Sequence, residues 1–462
     1  MVKLKNYDVV ILGGGPGGYV AAIKAAQLGA SVAVIEKESL GGVCLNWGCI
    51  PTKTLLITAK HYKDVLRSEE FGIVGVDTSK VSVDWRLLLK RKDSVVTKLV
   101  SGITMLFKKN KIDLIEGLGT VVNKNQVEVN GETIEFRNLI IATGARSAFP
   151  EIPGLEESLM SRKAIDSKGA LQLEDIPKDL IIVGNNVYAI EFATLYNALG
   201  SNVTLIHEAE HILPFAESEM SLTLERQLKK DGLKIVSNAN LKSITEEHVL
   251  INHKDEDKIF TADKYLLFLG LDPNLGGTEN LNLKLNAKGF INTNEKMETS
   301  VAGVYAIGDV NGKFPLAHVA SAEGIVAAEN IMGVVSKLNY NLVPSVVYSF
   351  PEMASVGLTE EQAKEKGHDF KVSKFPLSAN GMAIAEGETV GFVKIISDNK
   401  YGEIIGTHII ASDAANMISK AVAIMQLEGT VYDLAKTIHP HPTFSETLVE
   451  AAYGTIDRPI HM

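Results

Sequence analysis

The feature that most constrains this chain is a glycine turn set between a strand pattern and a helix pattern. Tyr7 to Leu12 is an apolar run, Gly13-Gly14-Gly15-Pro16-Gly17-Gly18 follows, and Tyr19 to Leu28 has helical periodicity. A second apolar strand, Ser31 to Ile35, ends at Glu36. This order is a βαβ unit, the core of a doubly wound nucleotide-binding sheet. Gly13, Gly15 and Gly18 fill the key places of G-x-G-x-x-G. The first permits a tight turn, the second lets bare backbone approach a pyrophosphate, and the third lets helix pack on strand, with the helix N-terminus facing the anion. Glu36 stands where a carboxylate accepts from ribose hydroxyls. A plain glycine-rich turn leaves Glu36 unexplained, so the segment is expected to bind a dinucleotide.

A chain of 462 residues exceeds a single domain, and two to four are expected. The βαβ layout recurs near the middle: Asp179 to Val183, a turn from Gly184, a helix to Leu199, then Asn202 to Ile206. From about Val343 strand-like runs (Ser345 to Phe350, Gly391 to Ile396, Glu403 to Ile410) are joined by polar turns, with helical stretches from Asp413 onward. The fold class expected is α/β, with two Rossmann-like dinucleotide-binding domains plus a C-terminal α+β domain.

Composition removes several functions. Net charge is −10 and dispersed, against the clustered Lys and Arg that nucleic acid selects. The one compact basic run, Lys90-Arg91-Lys92, reads as a solvated helix face. No apolar run approaches the roughly 18 to 20 residues that span a bilayer. The strand pattern begins so early that no signal peptide is expected. Two cysteines in so long a chain do not make a secreted disulfide scaffold, and a cytoplasmic setting is expected.

Those two cysteines follow directly after Glu36, in Gly41-Gly42-Val43-Cys44-Leu45-Asn46-Trp47-Gly48-Cys49. In a regular helix, residues five apart have Cα atoms roughly 8 to 9 Å apart, whereas a disulfide wants about 4.4 to 6.8 Å. A bonded pair therefore requires a distorted segment, and Gly41, Gly42, Gly48 and Asn46 supply that freedom. Two inert buried thiols are the alternative. Beside a dinucleotide turn, the redox reading is preferred.

Cys44-Leu45-Asn46-Trp47-Gly48-Cys49-Ile50-Pro51-Thr52-Lys53 resembles the active-site segment of dihydrolipoamide dehydrogenases, within the FAD and pyridine-nucleotide disulfide oxidoreductases. The likeness continues through Ala142-Thr143-Gly144, Ala306-Ile307-Gly308-Asp309, Leu316-Ala317-His318 and His441-Pro442-Thr443-Phe444-Ser445-Glu446. Glutathione and trypanothione reductases typically continue Pro-Lys-Lys where this chain has Pro51-Thr52-Lys53, and mercuric reductases add a C-terminal cysteine pair. The resemblance implies an FAD-binding domain over 1–147, an NAD-binding-like domain over 148–270, a central region 271–342 completing the FAD domain, and a C-terminal dimerisation domain over 343–462. It implies Asp309 on the ribityl chain, with Lys53, Gly119, Thr143, Gly144, Leu316, Ala317 and His318 as further FAD-site residues. Cys49 would be the flavin-proximal sulfur and Cys44 the one exchanging with a substrate dithiol. His441 would be the general base and Glu446 its orienting carboxylate, reaching the cysteines of the other subunit of a homodimer. Thr443 to Glu446 is also a capping-box pattern, with Pro442 marking a helix start. His439 is expected to support the turn, and no metal is expected. The implied partner is a lipoyl domain of a 2-oxo acid dehydrogenase or glycine cleavage system, carried on another protein.

The second turn departs from the family. Gly184-Asn185-Asn186-Val187-Tyr188-Ala189-Ile190-Glu191 stands where three successive glycines are usual. Asn186 places a side chain where backbone meets pyrophosphate, and Tyr188 replaces an isoleucine beside the nicotinamide cleft. His207 replaces the acid that holds the adenosine ribose, with Glu208 one residue further on. Leu271, after Gly270, replaces an arginine. Glu191 is retained, and its implied role is to pair with Lys53. Three readings follow: an NAD-linked enzyme tolerating a poor NAD site, a flavin disulfide oxidoreductase serving another carrier, and a non-catalytic subunit, the last disfavoured by the cysteines and the His–Glu pair.

Overall fold

The computed structural model describes residues 5–462. Its first sheet is built on Lys5–Leu12, which pairs in parallel with Val32–Glu36 on one side and Glu132–Ile141 on the other. Asp113–Glu116 extends the first edge in parallel, and Val304–Ala306 pairs in parallel with Glu132–Ile141. Val9 to Leu12 and Val32 to Ile35 are buried on both faces, which is why each reads as a continuous apolar run and not as an alternation. A hairpin, Thr120–Asn123 with Gln126–Val129, continues the sheet antiparallel to the start of Glu132–Ile141. Helices Pro16–Gln27 and Ala317–Ile331 cover one face and touch through glycine: a Cβ on Gly324 would lie 2.6 Å from the Gly17 carbonyl oxygen.

The second unit repeats the plan. Asp179–Val183 is flanked in parallel by Asn202–Ile206 and Lys264–Leu267, with Lys234–Val236 and Ala164–Ile165 outside them. A three-stranded antiparallel sheet, Ala239–Ile244, Val249–His253 and Glu256–Phe260, sits beside it. The two units are stitched by a short antiparallel pair, Ala145–Ser147 with Leu271–Pro273.

The C-terminal part is a five-stranded antiparallel sheet, from edge to edge Ser345–Val347, Glu352–Gly357, Ile404–Ala411, Phe392–Asp398 and Phe370–Pro376. Helices Ala414–Gln426 and Glu446–Ile456 pack on it. Lys394, buried in this sheet, donates to Glu217 at 2.8 Å, Glu219 at 3.2 Å and Glu360 at 2.6 Å. Glu217 and Glu219 stand at the start of helix Ser218–Lys230, so the lysine ties the second unit to the C-terminal sheet.

Two sequence expectations need correction. The basic run 90–92 is not wholly solvated: Lys92 is 8% exposed, and its ammonium donates to the Leu171 carbonyl at 3.0 Å. Helix Trp85–Asn110 turns this position toward the second unit, and the long stem buries while the charged end finds an acceptor. Nor does a helix begin at Pro442 or Thr443. It begins at Glu446, and the Thr443 hydroxyl donates to the Pro440 carbonyl instead of capping.

Candidate functional site

The first glycine turn is as tight as backbone allows. Gly13 has φ +98°, and a Cβ on Gly18 would fall 1.9 Å from the Gly13 carbonyl oxygen. Gly15 differs, since nothing lies nearer to its missing Cβ than the Gly42 Cα at 3.9 Å. The dinucleotide turn and the start of the cysteine segment thus meet backbone to backbone. Helix Pro16–Gln27 begins there with no side chain capping it, which leaves its N–H groups for an anion. Glu36 accepts from the Gly14 N–H at 2.6 Å and the Glu38 N–H at 2.7 Å. A cavity of about 300 Å³ opens beside it, lined among others by Leu40, Val100, Leu114 and Glu116. Bare backbone, an uncapped helix, a carboxylate and a walled cavity fit the pyrophosphate and adenosine end of FAD.

At the other end of the turn the cysteines come together. Short helix Gly42–Asn46 is interrupted at Trp47 and Gly48, and Cys49 opens helix Cys49–Leu66. Asn46 holds the break by donating to the Leu40 and Gly42 carbonyls at 3.0 and 2.9 Å. Both cysteines are thiols here, close enough to share a proton. The Cys44 hydrogen bond, aided by Lys53, lowers the Cys49 pKa against the effect of burial, while sharing that proton and burial raise Cys44. The shift makes Cys49 the more acidic thiol of the two. Lys53 donates to Glu191 at 2.6 Å, and its ammonium lies 4.7 Å from the Tyr348 ring centroid. Glu191, 1% exposed, also accepts from the Tyr348 N–H at 3.1 Å, and burial raises its pKa against the pull of Lys53. Tyr348 carried no signal in the sequence.

Asp309 lies in the turn Gly308–Asn311, directly after strand Val304–Ala306. Burial, reinforced by the nearby Glu323 charge, raises its pKa to about 6. Leu316 and Ala317 start helix Ala317–Ile331, and the His318 ring pairs with the Pro344 carbonyl at 2.9 Å. Thr143 and Gly144 are latched to the segment after Leu271: Thr143 donates to the Asn274 carbonyl at 2.6 Å, and Asn274 N–H to the Gly144 carbonyl at 2.9 Å. Gly119 packs over Leu12 and Ile35, at the first sheet. Among the described residues no cluster of three or more His, Cys, Asp and Glu is arranged to hold a metal ion.

His441 and Glu446 meet outside this pocket. The imidazole Nδ1 lies 2.9 Å from Glu446 Oε1, and Glu446 Oε2 accepts from the Thr443 N–H at 2.8 Å. One carboxylate orients the ring and ties down the loop before its helix, so half of the capping box exists and serves the histidine. The Thr443 N–H and the His441 ring hold the Glu446 pKa down against burial. The His441 side chain is 79% exposed. His439 pairs with the Thr437 carbonyl at 2.9 Å, within its own turn.

In the second unit Gly184 is as constrained as Gly13, with φ +143° and the Phe268 carbonyl oxygen 2.7 Å from a Cβ placed there. Beyond it the two turns part. The Asn186 side chain accepts from the Ala189 N–H at 3.0 Å and caps helix Val187–Ala198 itself. Asn185 bridges to the His211 carbonyl and the Leu213 N–H at 3.1 and 2.8 Å. Tyr188 reaches over to the Pro315 carbonyl at 3.3 Å with its ring stacked on Phe268. Burial raises its pKa, and the Asp309 and Cys49 charges add to this. His207 is 1% exposed beside Ser237, whereas Glu208 is exposed. Leu271 opens the strand that joins the two units, and Gly270 accepts from the Ala148 N–H at 3.0 Å.

A glycine-turn nucleotide site set against a dithiol defines a flavin-type disulfide oxidoreductase. The profile of the pyridine nucleotide-disulphide oxidoreductases matches residues 7–324, and that of their dimerisation domain matches 343–452. The chain belongs to this family, as an oxidoreductase that uses FAD and a pyridine nucleotide and pairs with a second copy. It is 42% identical to a dihydrolipoyl dehydrogenase of Bacillus subtilis (strain 168), over 99% of each chain. It is 41% identical to the dihydrolipoyl dehydrogenase of Geobacillus stearothermophilus, over 98% of this chain and 97% of that one. Among solved structures it resembles LpdA from Mycobacterium tuberculosis, with a TM-score of 0.87 at 26% identity. It also resembles the HOCl-induced flavoprotein disulfide reductase RclA from Escherichia coli, with 0.85 at 28%. Each comparison covers 97% of this chain and 99% of the other. No helix among the described residues is long and apolar enough to cross a membrane.

Proposed function

We propose that this protein is a dihydrolipoyl dehydrogenase, oxidising the dithiol of a lipoyl domain in a 2-oxo acid dehydrogenase or glycine cleavage system in the cytoplasm. The observation that carries the reading is the paired Cys44 and Cys49 at the head of helix Cys49–Leu66, beside Lys53 and Glu191. A substrate thiolate attacks Cys44 of the disulfide form. Cys49 leaves as a thiolate, the second substrate thiol attacks the substrate sulfur bonded to Cys44 and closes lipoamide's ring, Cys44 is expelled, and two electrons remain on the cysteine pair. His441 of one subunit, oriented by Glu446, takes the substrate proton at the cysteines of the other. FAD, when bound, supplies the two-electron carrier between the dithiol and the pyridine nucleotide. The division adopted is 1–147 and 271–342 for FAD, 148–270 for the nucleotide and 343–462 for dimerisation.

A second reading concerns the acceptor. The self-capped helix at Asn186, the Tyr188 ring and the buried His207 favour an enzyme whose NAD site is weak and whose electrons pass to another carrier. Stopped-flow reduction by dihydrolipoamide, followed by reoxidation with NAD or with other acceptors, separates the readings. Rapid reduction with slow, weakly saturating NAD reoxidation supports the second, and rapid turnover with NAD supports the first. Failure of dihydrolipoamide to reduce the flavin overturns both.

A further inference from the structure

Helix Ala317–Ile331 carries Glu323 on its buried face, among Val319, Ala320, Val326 and Ala327, and Glu323 is 0% exposed. Its carboxylate is fully engaged. One oxygen accepts from the Gly308 N–H at 2.6 Å and the Asn311 side-chain amide at 2.9 Å. The other accepts from the Tyr340 hydroxyl at 2.5 Å. Gly308 and Asn311 bracket Asp309, whose carboxylate feels burial and the Glu323 charge and no hydrogen-bond donor. Tyr340 is itself held, its ring stacked on Phe314 with centroids 5.5 Å apart and planes 10° apart, and the Lys313 ammonium 5.1 Å from its centroid. It lies between the two matched family segments, which end at 324 and resume at 343.

We propose that Glu323 and Tyr340 form a latch that fixes the Gly308–Asn311 turn and thereby sets where the Asp309 carboxylate meets the ribityl chain of FAD. Glu323 is then a positioning residue, and the inference rests on the proposed place of Asp309 beside the cofactor. A buried carboxylate with three short donors is costly to build unless it orders something, and what it orders is the backbone on both sides of Asp309. It also acts through charge. The groups facing Asp309 are Glu323 from its own unit and Tyr188 from helix Val187–Ala198, and those facing Glu323 are Tyr340 and Lys313. Burial and the Glu323 charge raise the Asp309 pKa to about 6, so removing the Glu323 charge should move that titration to lower pH.

The test is the release of FAD from purified holoenzyme, followed by flavin fluorescence on dilution between about pH 4.5 and 8. Glu323→Gln keeps the shape of the side chain and removes its charge. It should speed release about tenfold at the upper end of that range, and the pH midpoint of release should fall below that of the unmodified protein. Tyr340→Phe removes one hydroxyl, keeps the stacked ring, and should also speed release about tenfold. It serves as the test if Glu323→Gln does not fold. Release at the unmodified rate in both variants overturns the latch, and so does faster release in Glu323→Gln with an unmoved midpoint. Asp309→Asn separates this from the reading beneath it. If Asp309→Asn leaves both rate and midpoint unchanged, Asp309 does not serve the flavin. If it speeds release and abolishes the midpoint while the other two variants behave normally, only the latch is wrong.

Discussion

Replacing Asn186 by glycine should strengthen NAD binding about tenfold. Its side-chain oxygen occupies the Ala189 N–H at 3.0 Å, a donor that in the first unit's helix is left uncapped. An N-cap asparagine changed to glycine loses only a few tenths of a kcal/mol, so the apparent unfolding temperature should fall by roughly 1 °C or less. The exchange frees a donor for a phosphate oxygen. A neutral hydrogen bond worth about 0.5 to 1.5 kcal/mol gives way to one with a charged partner worth about 1.5 to 3. The difference, about 1 to 1.5 kcal/mol, is close to a factor of ten in Kd. The assay is a titration of NAD against the oxidised protein, with the NAD dependence of reoxidation after dithiol reduction. The reasoning is refuted if Asn186→Gly leaves Kd unchanged while lowering the unfolding temperature by several degrees, because the cap would then be structural. It fails equally if the unmodified protein already binds NAD at micromolar concentration and turns over rapidly.

Partial reduction should give a long-wavelength thiolate-to-flavin band that Cys49→Ser abolishes and Cys44→Ser retains, since Cys49 is the sulfur with the lowered pKa; the opposite pattern reverses the two assignments. His441→Ala should slow dithiol-dependent flavin reduction about 10² to 10⁴-fold with little change in unfolding temperature, because the ring is mostly exposed; near-normal reduction with lost stability would make the dyad a structural one. Glu352 accepts from the Ala415 N–H at 2.9 Å, and burial raises its pKa to about 7. Its folded form holds a proton that the unfolded chain gives up near pH 4.3, so its contribution is fully present below that pH and is lost as pH rises through 7. Glu352→Gln should therefore flatten the fall in stability between these values, by an amount on the order of 1 to 3 kcal/mol, and denaturant unfolding with an unchanged slope would show that Glu352 is not the group responsible.

Much of this was legible in sequence where backbone geometry leaves one residue type. Gly13 and Gly18 are dictated by contacts to carbonyl oxygen, so the turn announces itself. The cysteine spacing demanded a break in the helix, and the break falls at Trp47 and Gly48. Side-chain partners were harder. Thr443 to Glu446 has the letters of a capping box, but letters do not say that the histidine two residues earlier competes for the same carboxylate. The pairing of Glu323 with Tyr340 joins residues from separate elements, and nothing in the spacing of either residue announced it. His207 advertised a missing acid, yet its burial beside Ser237 depends on how strand Asn202–Ile206 is covered.

The first sheet is closed by Val304–Ala306, a strand the ribosome makes only after the whole second unit. Strand Glu132–Ile141 must wait for that neighbour while roughly 160 residues are added, about 10 to 30 s at 5 to 20 residues per second. During that interval one flank of Glu132–Ile141 is an open edge of buried-type residues, Leu139, Ile140 and Ile141 among them. Asp309 arrives with the closing strand, so with the role proposed for it the flavin site cannot be complete on a nascent chain shorter than this. A ribosome-bound fragment ending before Val304 should hold a folded second unit and no flavin, and it is the species from which aggregation of this protein is expected to start.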